Sequence, residues 1–280
     1  MKPKIVRSVA SLRRETRAWR KQHLTYAVVP TMGALHEGHL TLVREGLNRA
    51  DRCIATIFVN PKQFAATEDL GRYPRDEEAD VKKLAQAGCT LIFAPTPEDM
   101  YPPGFSTTVS LAGPAKAGLE DRFRPQFFDG VATVVSKLFI QIGADFAMFG
   151  EKDYQQLMVV TQMARDLDIP IEVVGIPTVR EDDGLAMSSR NRYLSAAERR
   201  QAIAIHEALM LAAEKIRAGI DAQTATRSAT RALTTQGFRV DYVTARNAAT
   251  LAVPDARGEP LRLLAAAWLG KTRLIDNIAV

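Results

Sequence analysis

The sequence predicts an α/β fold, a doubly wound parallel sheet followed by a smaller α+β domain. Between Tyr26 and residue 177, short β-branched runs alternate with longer segments of helical period. That alternation is the signature of βαβ units, which close as a parallel sheet with helices on both faces. After about Asp183 the order changes to helices followed by strands, the pattern of an α+β unit. A chain of 280 residues is long enough for one large domain or two modest ones. The expected division is a Rossmann-like domain over residues 1–183 and a smaller C-terminal domain over residues 184–280.

The N-terminal stretch "MKPKIVRSVASLRRETRAWRKQ" reads as an exposed basic helix face with Leu12 and Trp19 turned inward. It is a poor transit peptide or nucleic-acid arm, since Glu15 interrupts it and it lacks a signal-type apolar core. "YAVV" is the first expected strand, and Leu40, Val43, Leu47 and Ala50 share one face of the helix after it. "CIATIFVN" follows; then a helix opens near Asp76, buries Val81 and Leu84, and stops at Gly88 before the strand "TLIFAP". Beyond a Gly- and Pro-rich loop over residues 95–130, a helix holding Val131, Val134, Leu138 and Ile142 leads to "DFAMF". A further helix from Tyr154 to Leu167 leads to "IEVVGIP". In the C-terminal part, Ser195 and Glu198 form a capping box for a long helix to Gly219, and Asp221 caps a second helix. "FRVDYVTARN", "LRLLAAAWLG" and "RLIDNIAV" read as strands, the last two joined by a short turn around Lys271.

Composition narrows the function. A hydrophobic share of 46% with 25% charged residues is that of a globular protein, and no apolar run approaches the roughly 18 residues that span a bilayer. Thirty-seven Lys and Arg against 32 Asp and Glu give a net charge of +5, which suits an anionic ligand. Cys53 and Cys89 both stand at the entrance to apolar strands and read as free buried thiols of a reducing cytoplasm.

The densest chemistry lies in "PTMGALHEGHL", residues 30–40, where His36 and His39 flank Gly38 between the first strand and its helix. Three readings compete: a metal site, a phosphate site, or two histidines that pack. A catalytic zinc needs a third protein ligand, and the other histidines, His23 and His206, are not in strand-end contexts. Gly33 and Gly38 allow close backbone approach, and a helix N-terminus behind them offers free N–H groups and a positive dipole end to phosphate. Other strand ends deliver polar groups to the same edge: Asn60 and Gln63; Glu151, Lys152, Asp153 and Gln156; Ser188, Ser189 and Arg190. Lys152 and Arg190 are the natural cations for a polyphosphate, which magnesium commonly accompanies. The glutamines add little for triphosphate but can hydrogen-bond a hydroxyl or carboxylate of a small polar substrate.

Taken in order, "PTMGALHEGHLTLV", "IFVNPKQF", "RYPR", "FGEKDYQQL", "DGLAMSSRN" and "AAWLGKTRLIDN" resemble the pantothenate synthetase family, AMP-forming ligases of pantoate and beta-alanine. The HxGH motif alone is shared with nucleotidylyltransferases and class I aminoacyl-tRNA synthetases; the combination is far more specific. The resemblance implies that Met32, Gly33, Ala34, Leu35, His36, Glu37, Gly38 and His39 line an ATP site, with His39, His36 and Lys152 catalytic. It further implies that Gly150, Glu151, Lys152, Asp153, Val179, Met187, Ser188, Ser189 and Arg190 hold the nucleotide, and that Gln63 and Gln156 bind pantoate, Gln63 also lying near beta-alanine. Magnesium would come with ATP, its waters held by Asp153 or the loop acids, and no dedicated metal ligands are expected. A cytoplasmic homodimer without nucleic-acid or membrane partners completes the expectation. One stretch departs from the family pattern: "RPQFFDG" carries Gln126 and Phe127 where a glycine and a histidine are expected. The implied chemistry is attack of the pantoate carboxylate on the α-phosphorus, then displacement of AMP by the amine of beta-alanine. The alternative is a nucleotidylyltransferase that keeps the adenylate as product.

Overall fold

The computed structural model describes residues 2–64, 69–71, 73–255 and 258–280; Arg72 of the "RYPR" stretch lies outside the described residues. The chain forms two compact units, Met1–Glu151 with Gln156–Pro177, and Lys152–Gln155 with Thr178–Val280.

The first unit is a Rossmann-like sheet of six parallel strands. In chain order its elements are β1 (Lys4–Val6), α1 (Val9–Lys21), β2 (Tyr26–Val29), α2 (Glu37–Leu47), β3 (Arg52–Thr56), α3 (Glu77–Gln86) and β4 (Leu91–Phe93). The short helices α4 (Pro97–Met100) and α5 (Glu120–Phe123) follow, then α6 (Phe127–Ile142), β5 (Phe146–Gly150), α7 (Tyr154–Asp166) and β6 (Glu172–Ile176). The strand order is β1-β4-β3-β2-β5-β6. From β2 the chain lays β3 and β4 on one side and then crosses to place β5 and β6 on the other. The loops after β2 and β5 therefore diverge, and the crevice between them is the topological switch point.

Burial explains why these strands read as unbroken apolar runs. All four residues of β2 are buried, and Ile54 and Ala55 on β3 and Leu91, Ile92 and Phe93 on β4 are 0–1% exposed. A parallel sheet is covered on both faces, so neither face tolerates polar alternation. Gly46 on α2 sits against the sheet, where a Cβ would lie 3.0 Å from that of Ala27.

The N-terminal helix is as the sequence implies, with Leu12 fully buried and Trp19 edge-on to Tyr26 at 5.5 Å. Strand β1 was not expected. Its three residues pair with β4, Lys4 with Leu91 through Val6 with Phe93, a long-range ladder that no local periodicity announces.

The second unit contains α8 (Ala196–Gln201), α9 (Ala204–Arg217), α10 (Ala222–Thr235) and an antiparallel sheet of β7 (Arg239–Asn247), β8 (Leu261–Leu269) and β9 (Thr272–Ala279). The capping box is present: Glu198 N–H donates to Ser195 Oγ at 3.3 Å, and Ser195 N–H to the Glu198 carboxylate at 2.8 Å. Asp221 caps α10 through Thr224 N–H at 3.0 Å. The single long helix expected from Ser195 to Gly219 is two helices, separated at Ala202 and Ile203, where the fully buried Ala202 closes α8 with a hydrogen bond to Glu198 O. Leu209, Leu233, Leu263 and Ala267, all 0% exposed, belong to this unit's core. Among the described residues no helix is long and apolar enough to cross a membrane.

Candidate active site

The segment joining β2 to α2 is held by its neighbours. Thr31 ties the end of β2 to the end of β3, its N–H donating to Thr56 Oγ1 at 3.0 Å and its hydroxyl to Thr56 O at 2.5 Å. The chain then takes two consecutive left-handed residues, Gly33 (φ 83°) and Ala34 (φ 52°). Glycine adopts that region freely, whereas a residue with a Cβ does so at a cost. The carboxylate of Asp80 on α3 offsets that cost: it is 2% exposed and accepts the N–H groups of Ala34 and Leu35, both at 2.8 Å. A Cβ on Gly33 would lie 2.9 Å from the same carboxylate. Lys83, one turn further along α3, donates to Leu35 O at 2.6 Å.

This bracing delivers His36 to the N-cap position of α2 with extended backbone (φ −135°, ψ 175°). His36 N–H donates to Nδ1 of His39 at 3.4 Å, and the two rings lie 4.1 Å apart at 48°. With Nδ1 of His39 accepting, a neutral ring carries its hydrogen on Nε2, which makes that nitrogen a donor. Both rings are half-buried, Gly38 is half-buried between them, and Glu37 is exposed in an ion pair with Arg44. Met32 is half-buried, while Gly33, Ala34 and Leu35 are buried.

From the neighbouring strand end, Gln63 donates from Nε2 to Met32 Sδ at 2.9 Å, so the ends of β2 and β3 bring two expected ligand-binding residues together. A pocket of about 230 Å³ borders the same loop on its Asp80 side, lined by Met32, Gly33, Ile57, Phe58, Arg75 and Asp76 among others. Gly150 and Glu151 leave β5, the strand paired with β2, and Gln156 is half-buried on the first turn of α7. Gln126 is exposed and has right-handed backbone (φ −99°, ψ 0°), so the missing glycine is not needed for this turn. Phe127 opens α6 with its ring 3.7 Å from the Arg124 guanidinium.

In the second unit, Val179 accepts from Met187 N–H at 3.0 Å, which closes a short hairpin and launches Ser188. Ser188 then caps a 3₁₀ turn, Ser189–Tyr193, by accepting from Arg190 N–H at 3.2 Å. The hairpin is clamped by charge. Arg180 makes a two-pronged pair with Asp276 at 2.7 and 2.9 Å, and Arg199 bridges Glu181 at 2.5 Å and Asp183 at 2.7 Å. The Arg199 hydrogen bond holds the Asp183 carboxyl below its ordinary range. Burial pushes the Asp276 carboxyl up, but the His206 imidazole 3.4 Å away and the two Arg180 hydrogen bonds outweigh it and hold the group below its ordinary 3.8. Lys152 is anchored through its carbonyl, which accepts from Asn277 Nδ2 at 2.8 Å, and its ammonium lies 3.8 Å from Asp153, whose side chain is 50% exposed.

Reading the sequence missed the supporting residues. Asp80 carries a faint signal, an acid four positions before Leu84 on the helix face that is buried. Arg180, Glu181, Asp276 and Arg199 carry none, because their pairings are made by tertiary structure.

An open parallel sheet whose ligand-type side chains gather at the carboxyl edge of its switch point is the arrangement of an α/β enzyme acting on a small substrate. The comparisons are more specific. The family described as Pantoate-beta-alanine ligase matches residues 4–279. The chain is 59% identical to pantothenate synthetase of Caulobacter vibrioides over 282 residues, covering 99% of each chain. It is 55% identical to that of Mesorhizobium japonicum over 280 residues, covering 100% of this chain and 98% of the relative. The crystal structure of pantothenate synthetase from Thermus thermophilus superposes with a TM-score of 0.91 at 44% identity over 98% of each chain. Pantoate-beta-alanine ligase from Francisella tularensis, solved in complex with beta-gamma ATP and beta-alanine, gives 0.83 at 30% identity over 99% of this chain and 97% of that one. The chain belongs to the pantoate-beta-alanine ligase family.

Proposed function

We propose that this protein condenses pantoate with beta-alanine at the expense of ATP, through a pantoyl-adenylate intermediate, releasing AMP and pyrophosphate. The observation that carries the reading is the braced His36–His39 turn at the switch point of a chain that matches the ligase family over nearly its full length. The carboxylate of pantoate attacks the α-phosphorus and pyrophosphate leaves; the amine of beta-alanine then attacks the acyl carbon and AMP leaves. No protein nucleophile is needed, so the side chains align reactants and stabilise developing charge.

His39 and His36 serve the phosphates as donors from the N-terminus of α2. Lys152, Ser188, Ser189 and Arg190 add charge and hydroxyl donors, with Gly150, Glu151, Asp153, Val179 and Met187 beside the nucleotide. Met32, Glu37 and Gly38 complete the turn, whereas Gly33, Ala34 and Leu35 support it from beneath, since the N–H groups of Ala34 and Leu35 are committed to Asp80. Gln63 and Gln156 bind pantoate. In this reading residues 1–183 bind nucleotide and pantoate and residues 184–280, with the Ser188–Arg190 loop just inside them, supply further ATP contacts, whereas the compact units divide at Pro177 and count Lys152–Gln155 with the C-terminal part.

Among the described residues no three of His, Cys, Asp and Glu gather as a metal cage. Magnesium would arrive on the nucleotide, with Asp153 able to hold one of its waters; the ion would neutralise phosphate charge. We place the enzyme in the cytoplasm as a homodimer. Its two cysteines are buried and unpaired, burial raising the Cys89 thiol to about 11, so neither serves as a disulfide or a reactive thiol.

The test is incubation with ATP, magnesium and pantoate, with and without beta-alanine, following pyrophosphate exchange and AMP. Exchange without beta-alanine, with net AMP only on its addition, is expected. Stoichiometric release of a free adenylate as final product would instead establish a nucleotidylyltransferase.

A further inference from the structure

The turn carrying Gln63 is gripped by the segment from α5 into α6. Gly130, on the first turn of α6, comes so close that a Cβ there would overlap the Lys62 carbonyl. Asn60, 1% exposed, donates from Nδ2 both to Gly130 O and to Gln63 Oε1, each at 3.1 Å. Its Oδ1 accepts from the Tyr101 hydroxyl at 2.8 Å and from Lys62 N–H at 3.2 Å. Arg124, which follows α5, donates to Gln63 O at 3.1 Å while its guanidinium lies over the Phe127 ring.

Gln63 is therefore held at two points, its main-chain carbonyl by Arg124 and its side-chain oxygen by Asn60. What remains is the Nε2 amide, facing a thioether 2.9 Å away. Thioether sulfur is a weak acceptor, so a ligand oxygen can claim this amide at little cost. The ring under Arg124 confines a side chain that would otherwise be long and mobile, so its hydrogen bond costs little rotamer entropy.

We propose that Arg124 and Phe127 are positioning residues that set the affinity for the hydroxy-carboxylate substrate through Gln63, without touching it. This rests on the reading of Gln63 as a pantoate group. It also gives the Gln126–Phe127 departure a consequence, because Phe127 supplies the ring on which the guanidinium rests.

The experiment is a set of steady-state and thermal measurements on the full-length enzyme: Gln63→Ala, Arg124→Met, Phe127→Leu, and each of the last two combined with Gln63→Ala. Phe127 also leans on the small apolar cluster of Ala115, Phe128 and Val159, so melting curves accompany every variant. Arg124→Met and Phe127→Leu are expected to raise KM for pantoate on the order of tenfold, what one charge-assisted hydrogen bond contributes. KM for ATP should stay within about twofold, as for groups on one substrate only. In the Gln63→Ala background neither change should raise the pantoate KM further, since residues acting through a shared partner are not additive. Should Gln63→Ala raise the pantoate KM while Arg124→Met and Phe127→Leu do not, the positioning role is wrong and the reading of Gln63 stands. Equal rises for pantoate and ATP, or full additivity with Gln63→Ala, would mark the pair as ordinary scaffold. A Gln63→Ala enzyme with unchanged pantoate KM would overturn both.

Discussion

Asp80 shows how a single side chain can decide the conformation of the loop between β2 and α2. Two N–H groups of a left-handed turn end on one buried carboxylate, and removing it leaves two buried donors without an acceptor. Each such orphan costs about 1–3 kcal/mol. Asp80→Ala should therefore lower the melting temperature and depress adenylate formation together, and unchanged pyrophosphate exchange in a folded variant would show that the turn needs no brace. Asparagine at this position keeps one acceptor and should fall between. On the proposed reading the histidines act differently, as donors to the phosphates. His39→Ala should lose about 10²–10³ in adenylate formation, as removal of a preorganised donor does, with the melting curve little changed. Chemically supplied pantoyl adenylate should still react with beta-alanine on that variant, since the second half-reaction does not use the pyrophosphate side of the site; an equal loss there would argue for general damage to the pocket.

At the level of elements, the helices do more than cover the sheet. The face of α3 that buries Val81 and Leu84 also carries Asp80, so packing this helix on the sheet and setting the turn after β2 are one event. On α6, glycine at position 130 is required by the approach of the Lys62 carbonyl. Gly130→Ala must push the helix and the 3₁₀ turn Pro61–Gln63 apart, and overpacking of this kind costs about 1–3 kcal/mol, readable as a lower melting temperature together with a higher pantoate KM. In the second unit, β9 presents Asp276 to Arg180 and thereby anchors the hairpin that launches Ser188. Because the folded-state value of Asp276 lies below its ordinary 3.8, the group contributes stability that is fully present above that value and is lost as pH falls through the lower folded one. Hydrogen exchange of β9 amides should accelerate, relative to the intrinsic rate, as pH is taken below about 4. Asp276→Asn should flatten that acid dependence while weakening β9 at neutral pH, where Arg180 is left without its partner. A variant with the wild-type acid profile would remove Asp276 from the explanation.

Across the whole molecule, the proposed reaction has the divalent ion travel with the nucleotide, as magnesium commonly does with a polyphosphate. Chelation should abolish activity and magnesium alone restore it, whereas an enzyme rescued only by zinc would return His36 and His39 to a metal site. The alternation of β-branched runs with helical period was enough to foresee a parallel doubly wound sheet and a separate set of C-terminal strands, because apolar pattern follows directly from which faces are buried. The glycines and histidines of residues 33–39 were legible for a related reason: backbone freedom and phosphate chemistry are properties of residue type and local order. Beyond that reach lay β1, the break at Ala202, the Asp80 brace, the Arg124 grip on Gln63 and the Arg180–Asp276 clasp. Apart from the local break at Ala202, each joins residues far apart in the chain, and only the folded geometry chooses which buried donor meets which acceptor; the sequence by itself determined the architecture and the chemical inventory, and the tertiary structure decided how that inventory is held in place.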